Sequence, residues 1–206
     1  QYALERLAES GDEAPTRDRH LGFYVALSQR AGCDLNGPKQ LTWTARLDAE
    51  RENILLAFDH ALTTPGGGLA ALTMVHGYFL WLTWRDIELW HRVTLAVLAH
   101  PDAQQENVAR SRALYVAGFI AYMTGRYEQS FTLAQSSVGI ARACADAPAL
   151  GQGLYTSGIA AIAVDRLAEA REHFVEGLAL ARQTCDRPLI ALMSCGLGEL
   201  YSQQAQ

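Results

Sequence analysis

Two stretches decide the fold: "GRYEQSFTLA" at 125–134 and "DRLAEAREHF" at 165–174. They share few letters, yet each opens on a turn residue, places Arg second and a small residue (Ser130 or Ala170) sixth. Sliding the whole chain along itself by forty residues extends the match. Leu114-Tyr115 falls on Leu154-Tyr155, and Gly118 on Gly158 and then Gly198. Ala121 falls on Ala161, Arg126 on Arg166, and Ala141-Arg142 on Ala181-Arg182. Asp146 and Pro148 fall on Asp186 and Pro188. Each position has a physical use. A glycine lets the first helix of a hairpin approach its neighbour, and small residues such as Ser130 and Ala170 permit this from the other side. Phe174 fills the wedge between helices. Asp-x-Pro restarts a helix, because proline is tolerated only in a first turn. The chain is built from a repeated helical hairpin.

Working outward, nearly everything reads as helix, and no sustained alternation of β-branched residues marks a strand. Helices are expected over 1–10 and 16–31, the latter with Leu21, Tyr24, Val25 and Leu27 on one face. "GCDLNGP" (32–38) breaks the pattern. Residues 39–62 follow with a stripe of Leu41, Trp43, Leu47, Ile54, Leu55, Phe58 and Leu62. "TTPGGG" (63–68) reads as the most flexible stretch and sets a boundary: linker helices in 1–65, a repeat array in 66–206. Further helices are expected at about 69–84, 86–99, 105–124, 127–145, 149–164, 167–185 and 189–203, joined by the short links that antiparallel neighbours need. The units run about 69–104, 105–146, 147–186 and a truncated 187–206. The fold class is all-α, a right-handed α-α superhelix of hairpins with a period of about 40.

Composition narrows the function. Of 206 residues, half are hydrophobic and the formal net charge is −5, which argues against a general phosphate-binding surface. A helical-repeat RNA binder is disfavoured on the same ground. One lysine against sixteen arginines points to a GC-rich bacterial genome. No apolar run approaches 18 residues, so no membrane span is expected, and a cytoplasmic location follows. The four cysteines (Cys33, Cys144, Cys185, Cys195) form no CxxC and read as small buried hydrophobes.

The hairpin positions resemble the tetratricopeptide repeat, W-x₂-L-G-x₂-Y…A-x₃-F…P. "LYTSGIAAIAVDRLAEAREHF" supplies Gly158, Ala170 and Phe174; "CGLGELY" supplies Leu197, Gly198 and Tyr201; "LYVAGFIAYMTGRY" supplies Gly118, Gly125 and Tyr127. The departures are Leu114 and Leu154 in place of the first aromatic, Ala134 in place of Phe, and the long period. Gly77 and the surrounding aromatics suggest an earlier, degenerate unit at 70–100. At the N-terminus, "YALERLAESGD", "RDRHLGFYVALSQRA" and "LNGPKQLTWTARLDAERENILLAFDHAL" resemble the region after the NTPase and winged-helix modules of large bacterial transcription regulators. These are signal-transducing NTPases with numerous domains, of the antibiotic-regulatory and LuxR types. The resemblance implies a non-catalytic arm that senses an inducer or a protein partner. A scaffold for a protein partner or for oligomers, without a small-molecule effector, is the alternative. It also implies that ATP and DNA bind only to other domains, which this chain lacks: no G-x₄-G-K-[ST] occurs, and no basic recognition helix. Leu197, Leu200 and Tyr201 lie on a helix expected to need a further partner, which suggests self-association or a longer parent protein.

No catalytic or metal site is expected. Arg46, Asp48, Glu50, Arg51 and Glu52 read as a solvated, ion-paired face. Asp59-His60 and Glu172-His173 are adjacent on helices and point about 100° apart, so neither is a preformed dyad. His20, His76, His91 and His100 follow no pattern. Two groups remain as candidate binding residues. The aromatics Tyr78, Phe79, Trp81, Trp84 and Trp90 are either core of the first hairpin or a ligand-facing wall. Counting from the repeat glycines, Tyr115, Phe119 and Tyr122, then Tyr155, Ile159 and Ile162, then Cys195, Glu199 and Ser202 face the concave side. There they serve either interhelical packing or contact with a peptide or small molecule.

Overall fold

The computed structural model describes residues 12–204, so the helix expected at 1–10 lies outside the described residues. Those residues form eleven α-helices and no strand. They are α1 (Glu13–Asp34), α2 (Gln40–Ala49), α3 (Arg51–Thr63), α4 (Gly68–Gly77), α5 (Phe79–Thr83) and α6 (Ile87–Ala99). After a 3₁₀ turn at Pro101–Ala103 come α7 (Val108–Met123), α8 (Tyr127–Ala143), α9 (Ala147–Ala163), α10 (Leu167–Gln183) and α11 (Arg187–Gln204).

The hairpin turns explain the period. One residue in each turn has positive φ: Gly125 (76°), Ala145 (54°), Asp165 (61°) and Cys185 (55°), spaced twenty apart. The following amide donates back to an alanine carbonyl five residues earlier: Arg126 to Ala121, Asp146 to Ala141, Arg166 to Ala161 and Asp186 to Ala181. These are Schellman closures, which satisfy the otherwise orphaned carbonyls of a helix end. The Asp-x-Pro restarts behave as their chemistry requires. Asp146 accepts from the Ala149 amide at 2.8 Å and Asp186 from the Leu189 amide at 3.0 Å.

The helices pack in two rows, as an α-α superhelix of hairpins. Within one row α1 packs on α4, α4 on α7, α7 on α9 and α9 on α11; α3, α6, α8 and α10 form the second row. At the wedge between rows the units solve one packing problem in two ways. A Cβ on Gly118 would sit 3.3 Å from the Ser130 carbonyl, 3.4 Å from the Ala134 amide nitrogen and 3.5 Å from Thr156. Forty residues on, Gly158 and Gly196 both face the ring of Phe174, which is fully buried. Glycine–alanine–threonine in one unit becomes glycine–phenylalanine–glycine in the next, so the large ring is matched by two bare backbones. Ala170 is buried beside it.

Several expectations change. Gly198 shares the register of Gly118 and Gly158, yet nothing lies within 4 Å of its Cβ position. Those two glycines face the second helix of their own hairpin, and no described helix covers α11 in that way. Gly77 meets Ser28 of α1 rather than a hairpin partner, and the close crossing ends α4 there, so the single helix expected over 69–84 is broken at Tyr78. The Tyr78 hydroxyl donates to the Tyr24 carbonyl across the same crossing. "TTPGGG" is a tight connection: Gly67 and Gly68 are buried, and a Cβ on either would collide with the backbone of Ala61 or Asp102 and Ala103. The core runs without interruption from Leu21 in α1 through Phe58, Trp90 and Tyr115 to Ile140, so residues 12–65 pack as the first unit of the array rather than as a separate linker. Of the stripe expected over 39–62, Leu41 is 83% exposed. Finally, Cys33, Cys185 and Cys195 are exposed rather than buried, and Cys144 is half-buried.

Candidate binding groove

The first-row helices present one stripe each to a common face. On α7 it is Arg112, Tyr115, Phe119 and Tyr122; forty residues on, α9 presents Gln152, Tyr155, Ile159 and Ile162. This spacing of three and four keeps residues on one side of a helix. The expected groove residues are brought together. Phe79 of α5 lies edge-on to Tyr115 at 5.1 Å and to Phe119 at 5.3 Å between ring centres, and Tyr122 packs on Tyr127 at 5.6 Å. Tyr155 neighbours Tyr115, Tyr122 and the Glu199 and Cys195 side chains of α11, which extend the strip. Ser202 is exposed beyond it. Tyr115, Ile159 and Ile162 are largely buried, whereas Phe119, Tyr122 and Tyr155 are half-buried and offer ring edges to solvent.

Burial pushes the phenols of Tyr115, Tyr155 and Tyr122 above their ordinary range, and the neighbouring hydroxyls and Glu199 add to it. These side chains are neutral donors and acceptors. The row before them is more polar than the sequence suggested: His76 of α4, Arg112 of α7 and Gln152 of α9. Burial lowers the His76 pKa to about 4, with the positive charge of Arg112 second, so the imidazole is neutral at pH 7. Arg112 faces Asp146 at 3.5 Å. The buried Gln152 amide faces the His76 imidazole, an interaction that favours the charged ring and partly opposes the effect of burial.

Two cavities open along this row. The larger, about 470 Å³, is lined by Gln29, Gly32 and Cys33 of α1, by Thr73 and His76 of α4, and by Ala109 and Arg112 of α7, among others. The smaller, about 110 Å³, continues past Gly32, His76 and Gly77 to Phe79, Leu80, Tyr115 and Gln152. His76, Arg112 and Gln152 were not among the expected site residues, whereas Phe79 belongs to the aromatic group expected as core or as a ligand-facing wall. Extending the Tyr115 and Tyr155 stripes back by three would have found Arg112 and Gln152. Nothing in the sequence marks His76, whose place depends on the packing of α4 between α1 and α7.

The tryptophans divide. Trp81 is buried: its ring lies 5.5 Å from that of Trp90, and its Nε1–H donates to Asp48 at 2.8 Å. It is core, not a ligand-facing wall. Trp84 is 72% exposed and, with Leu41, Leu80 and Thr44, lines a separate slot of about 210 Å³ between α2 and α5. The charged face at 46–52 is put to structural use. Asp48 also accepts from Arg85 at 2.6 and 2.8 Å, and Glu50 accepts from Tyr24 and Asn53, which holds both carboxyls below their ordinary pKa. Among the described residues no group of His, Cys, Asp and Glu is placed to hold a metal, and no helix is long and apolar enough to cross a membrane.

No family model matches the chain, and no curated protein matches it.

Proposed function

We propose that this chain is a non-catalytic, effector- or partner-sensing arm of a multidomain bacterial transcription regulator. The observation that carries the reading is the groove on the first row. It sets half-buried aromatics and neutral polar groups from α4, α7 and α9 side by side, across helices that must keep their spacing for the array to hold its shape. A ligand touching all three favours one spacing. By linkage it can shift the arm's packing on its neighbours only as far as its affinities for the two arrangements differ. The regulator assignment rests on the resemblance of the N-terminal segments, and nucleotide and DNA binding would then belong to other domains.

The test is a thermal-shift screen against small metabolites. A ligand at 100 times its dissociation constant adds about 2.7 kcal/mol of stability, read as a raised midpoint. Hits abolished by Tyr155→Ala, at a half-buried position, support the reading. Hits indifferent to Tyr155→Ala and to a blocking Ala109→Phe count against it. The exposed Trp84 and Leu41 favour a second reading, a scaffold for a protein partner, because large exposed apolar side chains beside a slot are typical of docking surfaces. On that reading, retention of a defined host protein is lost with Trp84→Ala and no metabolite is needed.

A further inference from the structure

We propose that the α11 end of the groove takes a small organic ammonium ion, a protonated amine with an apolar body. The inference rests on the sensing reading above and names the class of effector. Counted from the repeat glycines, the position one residue on is Phe119 in α7, Ile159 in α9 and Glu199 in α11. A strip that is apolar in two units thus ends on a carboxylate in the third. Glu199 is exposed, and its side chain stands near the phenols of Tyr122 and Tyr155, both half-buried. Tyr127, at the start of α8, packs on Tyr122 at 5.6 Å between ring centres.

The carboxylate has no counter-charge among the described residues. On its own helix the residues three and four away are Cys195, Gly196, Ser202 and Gln203, none of them a cation. No described residue forms an ion pair or a hydrogen bond with the Glu199 side chain. The groups that act on Tyr122 and Tyr155 are Glu199, Cys195 and neighbouring tyrosines, and each of them disfavours a further negative charge, so this end of the groove is electronegative. An ammonium supplies the missing charge. Its N–H groups can donate to Glu199 and to the phenol oxygens, which accept as well as donate. The half-buried rings of Phe119 and Tyr122 offer apolar surface to the body of the ligand. A metal ion is the poorer occupant, because it needs several converging ligands and no group of His, Cys, Asp and Glu among the described residues provides them.

The probes are phenethylamine, its neutral counterpart phenethyl alcohol, and ethylamine, titrated into the whole chain by calorimetry at low salt. The aromatic amine should bind about fivefold more tightly than the alcohol, the upper range for an exposed ion pair, and Glu199→Gln should erase that gap. Salt at about 1 M should shrink it as well, since exposed charges are then screened within about 3 Å. Ethylamine should bind more weakly than phenethylamine, with that second gap erased by Tyr122→Ala. Equal binding of amine and alcohol, both lost on Tyr155→Ala, overturns the ammonium class while leaving the sensing groove in place. A gap that survives Glu199→Gln places the charge recognition elsewhere and overturns the site. A short peptide with a central lysine that binds more tightly than phenethylamine, and loses this on Glu199→Gln, assigns the site to a protein partner's lysine and overturns the small-molecule class. Failure of all three probes to bind overturns the ligand class alone, and the metabolite screen judges the groove. Circular dichroism melting of each variant separates lost binding from lost fold.

Discussion

The wedge at Phe174 allows a direct exchange between units. Upstream the wedge is Gly118, Ala134 and Thr156; downstream it is Gly158, Phe174 and Gly196. Phe174→Ala removes a fully buried ring and should cost about 3–5 kcal/mol. Gly196→Thr alone places a branched side chain where even a Cβ would overlap the ring, and should cost about 1–3 kcal/mol. Combined, the two substitutions rebuild the upstream wedge: the threonine grows into the space the ring has left. The double variant should therefore be more stable than the sum of the single losses by about 2 kcal/mol, the coupling expected of residues in contact. Urea denaturation at unchanged m-value gives all four corners of the cycle. Gly198→Ala is the control. With open space at its Cβ it should stabilise by about 0.5–1 kcal/mol, since alanine is the better helix former. Additivity within about 0.5 kcal/mol would show that Phe174 does not sit between these helices, and a destabilising Gly198→Ala would show that Gly198 is covered after all.

Three further outcomes follow from the same structure. His76 is held uncharged, with its pKa lowered from the ordinary 6.5 to about 4, so it binds fewer protons folded than unfolded and its stabilising contribution is lost as pH falls through that window. The span from 6.5 to about 4 corresponds to about 3 kcal/mol, so acidification from pH 7 to 4 should cost the native chain about that much more than His76→Gln, measured by urea midpoints at each pH. Ala145→Gly and Cys185→Gly should each raise stability by up to about 1 kcal/mol, because both positions have left-handed φ near 55°, which glycine adopts without strain. Trp81→Phe should destabilise by about 1–3 kcal/mol by leaving its Asp48 contact unmade, whereas Trp84→Ala should change the melting midpoint little.

What was legible in the chain was what depends on neighbours in sequence. Asp146-x-Pro148 and Asp186-x-Pro188 announce helix starts because a carboxylate and a fixed φ act within one turn, and both caps form. The offset of forty was legible because Gly118, Gly158 and the alanines at 121, 141, 161 and 181 hold the same jobs in each unit. The left-handed turn residues escaped notice, since only Gly125 of the four is the residue type that signals positive φ. The alanine ladder carries the signal instead: each small residue sits where the chain closes back on its own helix.

The rest turns on which helix covers which, and no local pattern encodes that. Residues 12–65 share few letters with the repeats at an offset of forty, yet α1 occupies the first-row position because Gly32, Gly77 and Ser28 let two backbones cross closely. Gly198 shows the converse, a matching letter with no neighbour to give it a role. The groove obeys the same rule. Tyr115 and Tyr155 could be read from one stripe repeated twice, but the polar row of His76, Arg112 and Gln152 draws on three helices, and the repeat register assigns only the last two to equivalent places. The repeat thus fixes where the groove lies, while its chemistry is set at positions that differ from unit to unit. On the sensing reading proposed above, substitutions at residues 76, 112 and 152 would change what the arm recognises without disturbing the glycines and caps that hold the helices in place.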